Sequence, residues 1–237
     1  MELTGLIGFA IALALTALLA FPLAGPLRSH PAPFYAVAIA ASLAYAWAIA
    51  TGVDLSGVRW LTVVMQKGYL AVLLLAVVMF TGVLDEGSPA RRRLQPIRGE
   101  LSILSFLLVL GHVATYLPPY LPRLGLLLAS RTNVALSLLV ALVLVALFAV
   151  LTLTSLRAVR RRMNPRAWRA LQRGSYLMVA LLALHVALAL GRSAGSSALA
   201  ATSLATYLVA IVAYAMLRVR KALRSRARES GRGTAGA

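Results

Sequence analysis

Two histidines stand in stretches of the sequence that are otherwise apolar. His112 is the single imidazole between Leu101 and Leu117, and His185 is the single imidazole between Gly174 and Gly191. An imidazole in a hydrocarbon environment costs free energy unless it has a partner or a metal, so both are functional candidates. One histidine on each of two membrane helices can supply two axial ligands to one haem iron. The pattern predicts that His112 and His185 ligate a haem.

The depth of the two histidines supports this pairing. Each lies 11 residues after the first residue of its stretch, and both stretches follow a basic segment. A helix rises about 1.5 Å per residue, so both imidazoles are expected ~16 Å from that end, at one level in the membrane. The alternative is two unrelated histidines, each hydrogen-bonded to a neighbouring helix. Zinc is less favoured because no Cys, Asp or Glu stands at that depth to complete a tetrahedral shell.

The composition predicts an all-α integral membrane protein. The 237 residues are 61% hydrophobic and only 13% charged, which lies outside the range of soluble domains. A helix needs about 20 apolar residues to cross a bilayer. Such runs recur along the whole chain, and we expect a bundle of about seven transmembrane helices: about 4–23, 33–51, 60–84, 101–118, 134–155, 174–191 and 198–217.

The distribution of the positive charges, which give a net charge of +18, indicates the membrane topology. Of the 24 cations, 19 fall in the connections and tail on one side of the seven segments. The positive-inside rule then predicts a multi-pass protein of the cell membrane, with the N-terminus outside and the C-terminus in the cytoplasm. The charge also predicts contact with anionic membrane lipid, and no nucleic acid partner is expected. The basic tail, residues 218–237, becomes rich in Gly and Ala and is predicted to be disordered.

Other residues bear on the predicted haem. Cysteine is absent, which excludes covalent c-type attachment, so the haem would be a non-covalent b-type group. Lys67 stands about two turns into the third segment, where it can snorkel to the interface or face a bound anionic group. Haem propionates need counter-charge in a low dielectric. The available cations on the outer side are Lys67, Arg123, Arg131 and Arg192. His30, beside prolines in a loop, is expected to be solvated.

Two stretches resemble a known family. They are RRRLQPIRGELSILSFLLVLGHVATYL, which contains His112, and LTLTSLRAVRRRMNPRAWRALQRGSYLMVALLALH, which ends at His185. Both resemble ferric reductase-like transmembrane domains, and the likeness covers roughly residues 60–217. The chain is also similar to the haem-binding membrane subunit of the bacterial methionine sulfoxide reductase system and to the membrane part of NADPH oxidases. The resemblance implies a six-helix haem-binding domain over 32–217, preceded by an N-terminal helix and loop over 1–31.

The departures from the family define the expected cofactor content. Two-haem members carry a second histidine pair nearer the cytoplasm, and the corresponding positions here hold Arg98 or Gly99 and Gln172. The resemblance therefore implies one haem b, in the outer site. We expect no flavin and NADPH module after the last predicted helix. We therefore expect the electron-transfer subunit of an oxidoreductase, supplied by a separate redox protein, a quinol, or a flavin in the inner site, with an acceptor outside the cytoplasm. The alternative is a non-redox membrane protein, such as a small transporter or an assembly subunit.

Overall fold

The computed structural model describes residues 2–129 and 133–234, which form α-helices joined by short connections and contain no strand. Three short 3-10 helices lie between the longer elements. The helices are α1 (Glu2–Ala20), α2 (Ala24–Ser29), α3 (Pro31–Thr51), α4 (Arg59–Lys67), α5 (Tyr69–Thr81), α6 (Pro89–Leu94), α7 (Arg98–Tyr120), α8 (Leu124–Ala129), α9 (Asn133–Leu153), α10 (Arg157–Arg162), α11 (Pro165–Gln172), α12 (Gly174–Ala194) and α13 (Ala198–Thr234).

The helices confirm the predicted class, an all-α membrane protein. Within the described ranges, six helical stretches are long and apolar enough to cross a membrane, and the bent pair α4 and α5 makes a seventh if it is counted as one span. The short basic helices α2, α6, α10 and α11 connect consecutive spans at one end of the bundle, which we call the basic end.

The third predicted segment is broken at Gly68. Residues 60–84 were predicted to form one span, whereas α4 ends at Lys67 and α5 begins at Tyr69 with an angle of 43° between them. Gly68 has φ 65°, a left-handed conformation that glycine adopts without the steric cost of a Cβ. Such a residue ends a helix, because its neighbours can no longer continue the hydrogen-bond ladder.

Two hydrophobic clusters hold the bundle together. One joins α1, α2, α3, α5 and α7, with Leu27, Leu74 and Leu101 fully buried. The other joins α5, α9, α12 and α13 around Met79 and Phe148. Helix α7 packs on α3 and α5, while α12 packs on α9 and α13. Over the described residues α7 and α12 do not pack along each other's length, although α9 contacts both.

The last helix is longer than predicted. The seventh span was predicted to end at Leu217, whereas α13 continues as a helix to Thr234. The difference has a local reason: RVRKALRSRARE consists mostly of Arg, Lys, Ala and Leu, which are strong helix formers. The disorder predicted for residues 218–237 stays a prediction.

Candidate functional site

The fold brings the two predicted histidines together. His112 on α7 and His185 on α12 have ring centroids 6.5 Å apart, and their planes are perpendicular. Both side chains are partly buried. The two histidines, which lie at equal depth on α7 and α12, are therefore next to each other in space.

His112 is oriented by the break in the third span. Its Nδ1 lies 2.6 Å from the backbone carbonyl oxygen of Gln66, in the last turn of α4. The last carbonyls of a helix have no partner within it, and the left-handed Gly68 ends α4 two residues later. Since a carbonyl only accepts, Nδ1 carries the proton and donates it to Gln66, which leaves the Nε2 lone pair free. A Cβ built on Gly68 would stand 3.6 Å from the His112 Cβ, so the turn itself lies against the histidine.

His185 has a corresponding partner on α9. Its Nδ1 lies 3.2 Å from the backbone carbonyl oxygen of Ser137 and 3.2 Å from the Ser137 hydroxyl oxygen. The carbonyl again requires a proton on Nδ1, so the Nε2 lone pair of His185 is also free. This arrangement, with one nitrogen donating to the protein and the other free, is the one that metal-bound histidines adopt.

The ring separation matches in size the space that a metal between two imidazoles would need. Bonds of about 2.0–2.1 Å from the metal to one nitrogen of each ring, with roughly 1.1 Å from nitrogen to ring centre, would put the centroids roughly 6.2–6.4 Å apart. The observed separation is 6.5 Å. The described residues contain no group of three or more His, Cys, Asp or Glu side chains that could hold a metal ion. A haem needs only two protein ligands because its macrocycle supplies the other four, so the number of ligands here suits a haem and falls short of tetrahedral zinc.

Tyr116 and Gly111 define the surroundings of His112 on α7. The ring of Tyr116, one turn further along α7, packs on the imidazole with centroids 4.9 Å apart. Gly111, the residue before His112, faces α3 and α4. A Cβ on Gly111 would clash with the Met65 side chain and stand 3.5 Å from Tyr45. Gly111 therefore allows α3 and α4 to approach α7.

The predicted counter-charges are placed unequally. Lys67, next to Gln66, is exposed and close enough to His112 to interact with it electrostatically. Arg123 and Arg192 are exposed at the end of the bundle opposite the basic end, and neither makes a hydrogen bond or an ion pair with a described residue. Arg131, the remaining cation considered, lies outside the described residues. Of the three that the structure describes, only Lys67 is brought to the histidines.

The inner position is filled by side chains. Arg98 donates from Nε to the Val78 carbonyl at 3.0 Å, and Gln172 donates from Nε2 to the Thr154 hydroxyl at 3.1 Å. Between these residues remains a cavity of about 30 Å³, lined also by Met79, Phe148 and Tyr214. That volume accommodates about one or two waters, which is far too small for a haem or a flavin.

Sequence reasoning missed a buried polar network at the basic end. Glu100 is 5% exposed, and its carboxylate accepts hydrogen bonds from the Tyr35 hydroxyl and from Arg157. Arg157 also donates to the Arg28 carbonyl at 2.6 Å. Sequence reasoning also missed Gln66 and Ser137. For Gln66 the available signal was the glycine in MQKGY, which directly follows a polar pair within an apolar run.

Comparisons with known proteins agree with these observations. Residues 67–183 match the family described as ferric reductase like transmembrane component. His112 lies inside the matched range, and His185 lies just beyond its end. An uncharacterized protein of Treponema pallidum (strain Nichols) is 34% identical over 175 residues, which are 72% of this chain and 48% of that protein. The chain thus spans about half the length of this relative. No solved structure matches the chain.

Proposed function

Because residues 67–183 match the family described as ferric reductase like transmembrane component, we propose that the chain is a membrane electron-transfer subunit that holds one haem b between His112 and His185. In this proposal it carries electrons from a quinol or a separate flavoprotein to an acceptor outside the cytoplasm. The observation that supports it most directly is the imidazole pair. The two rings stand 6.5 Å apart, and each Nδ1 is engaged by a backbone carbonyl.

The chain's own residues would prepare these ligands. The carbonyls of Gln66 and Ser137 hold the protons on Nδ1, which keeps both Nε2 lone pairs available. The two hydrogen bonds also set the rotation of each ring. The bound haem would supply an iron that changes its charge by one electron, which none of the side chains here can do.

The placement of the site supports an acceptor outside the cytoplasm. Both histidines lie in the half of their helix that is further from the basic end: 14 residues of α7 precede His112 and 8 follow it, and 11 residues of α12 precede His185 and 9 follow it. Lys67, on the same side, is the cation available to pair with a haem propionate or with the head group of a docked quinone. The inner cavity of about 30 Å³ gives no support to a flavin there, which favours a quinol or a separate protein as donor.

The absorption spectrum of protein purified after haem-replete expression tests the proposal. We expect a reduced spectrum typical of bis-imidazole haem b. His112→Ala and His185→Ala should each lose the haem while still inserting into the membrane. The matched control is His30→Ala, which removes the third histidine, an exposed one, and should keep the spectrum unchanged. Colourless wild-type protein would refute the proposal and favour a transporter or an assembly subunit.

A further inference from the structure

Four cations converge on a three-residue segment at the basic end of the bundle. Gly82–Leu84 follows the end of α5, and its carbonyls accept hydrogen bonds from two different helices. Lys221 of α13 donates from Nζ to the carbonyls of Gly82 and Leu84, both at 3.0 Å. Arg218 of α13 donates to the Gly82 carbonyl at 3.3 Å. The Gly82 carbonyl therefore accepts from both cations, and the Leu84 carbonyl accepts from Lys221.

Two further arginines complete this four-cation cluster, which consists of Arg91, Arg98, Arg218 and Lys221. Arg91 donates to the Leu84 carbonyl at 2.9 Å and so shares that acceptor with Lys221. Arg98 places Nη2 at 3.9 Å from the point where a Cβ on Gly82 would stand. The shared acceptors and this short distance show that the four positive groups are close neighbours.

The charge of the cluster is only partly balanced. Neutral carbonyls offer partial charges, and the end of a helix such as α5 contributes about half a negative charge. Two carboxylates lie nearby: Glu86 pairs with Arg91 at 3.5 Å but is 84% exposed, and Asp85 is exposed as well. Four positive charges are therefore balanced only by two solvated carboxylates and by the partial negative charge at the end of α5. The remaining positive charge would attract an additional anion.

We propose that the four-cation cluster binds a phosphate group. The source is either the headgroup of an anionic phospholipid or a soluble phosphate compound. Arg and Lys side chains that converge between transmembrane helices form the kind of site that binds lipid phosphate. The site is separate from the histidine pair, so the proposal does not depend on haem.

Native mass spectrometry of the detergent-purified full chain tests the site, with phosphatidylglycerol as probe and phosphatidylcholine as the zwitterionic comparison. We expect selective retention of phosphatidylglycerol. Arg218→Gln with Lys221→Gln should weaken it roughly tenfold or more, since each cation near a membrane surface contributes several-fold to anion attraction. The matched control is Arg220→Gln with Arg224→Gln, which removes two exposed cations from the same helix. This control should keep the wild-type affinity.

A charge-preserving variant and a phosphate titration complete the test. Arg218→Lys with Lys221→Arg preserves both charges and should retain binding, which separates loss of the site from misfolding of the glutamine variant. Titration with inorganic phosphate distinguishes the sources. If phosphate binds with the same dependence on Arg218 and Lys221, and lipid shows no selectivity, the ligand is a soluble phosphate. Equal weakening in the two glutamine pairs, or no binding of either probe, would overturn the proposal.

Discussion

Arg157 contacts a single oxygen of Glu100 through two of its nitrogens. Its Nε and Nη2 lie 2.8 Å and 2.6 Å from Oε1, while the other carboxylate oxygen accepts from the Tyr35 hydroxyl. The contact joins the start of α7 to α10, and so ties the basic connection after α9 to the helix that carries His112. Since the Glu100 side chain is 7% exposed, its charge depends on these partners.

Removing Arg157 should therefore destabilise the bundle. We expect Arg157→Ala to lower the free energy of unfolding by about 2–4 kcal/mol. This is near the usual cost of breaking a buried pair, reduced because half of the arginine side chain is exposed. Thermal or denaturant unfolding in detergent measures the loss. Arg161→Ala, an exposed arginine on the same helix, should change stability by less than about 0.5 kcal/mol. Equal effects in the two variants would show that Glu100 does not depend on Arg157.

A side chain at Gly68 should disturb the orientation of His112. Gly68 and Gly52 have φ 65° and 70°, so alanine at either position should cost about 1–2 kcal/mol of stability. Only Gly68 is near the site, because a Cβ on Gly52 would meet nothing within 4 Å. Strain at Gly68 should weaken the hydrogen bond from His112 to the Gln66 carbonyl, make the imidazole a poorer donor to ferric iron, and raise the haem midpoint potential. Redox titration of both variants checks this. A potential unchanged in Gly68→Ala, or shifted equally in Gly52→Ala, would contradict the proposed role of the turn.

Haem content should be one per chain, and a new inner histidine should not raise it. Gln172→His, alone or with Arg98→His, places imidazoles at the inner positions, but the cavity there measures about 30 Å³. Its walls include Met79, Phe148 and Tyr214, which would have to move. The pyridine haemochrome assay, normalised to protein, gives the ratio. Two haems per chain in the wild type or in either variant would show that this region can open.

Lys67 should raise the potential of a haem beside it. A nearby positive charge favours the reduced state, so Lys67→Met should lower the midpoint potential. For a charge at about 10 Å, the expected change is roughly 20–60 mV, depending on the effective dielectric constant. Arg59→Met is the matched control, because it removes a cation from the same helix two turns further from the histidines. If Lys67→Met leaves potential, haem content and turnover unchanged, the lysine only snorkels, and the outward direction of electron flow depends on haem depth alone.

Local patterns in the sequence were enough to define the class and the spans. A membrane span is recognised by apolar composition over its own length, and the basic connections between spans are equally local. The equal depth of His112 and His185 is also a count along two separate helices. For these reasons the all-α membrane class, the family and the candidate pair could be predicted without knowledge of any contact.

Tertiary structure alone decided what surrounds that pair. Gln66 meets His112 across 46 positions, Arg157 meets Glu100 across 57, and Arg218 meets Gly82 across 136. Such contacts depend on which helices pack and how each is rotated, and no local pattern encodes that. The collapse of the inner position likewise results from side chains of α5, α7, α9, α12 and α13 packing together. The sequence could show that histidine is absent there, but only packing decides that the remaining space holds about 30 Å³.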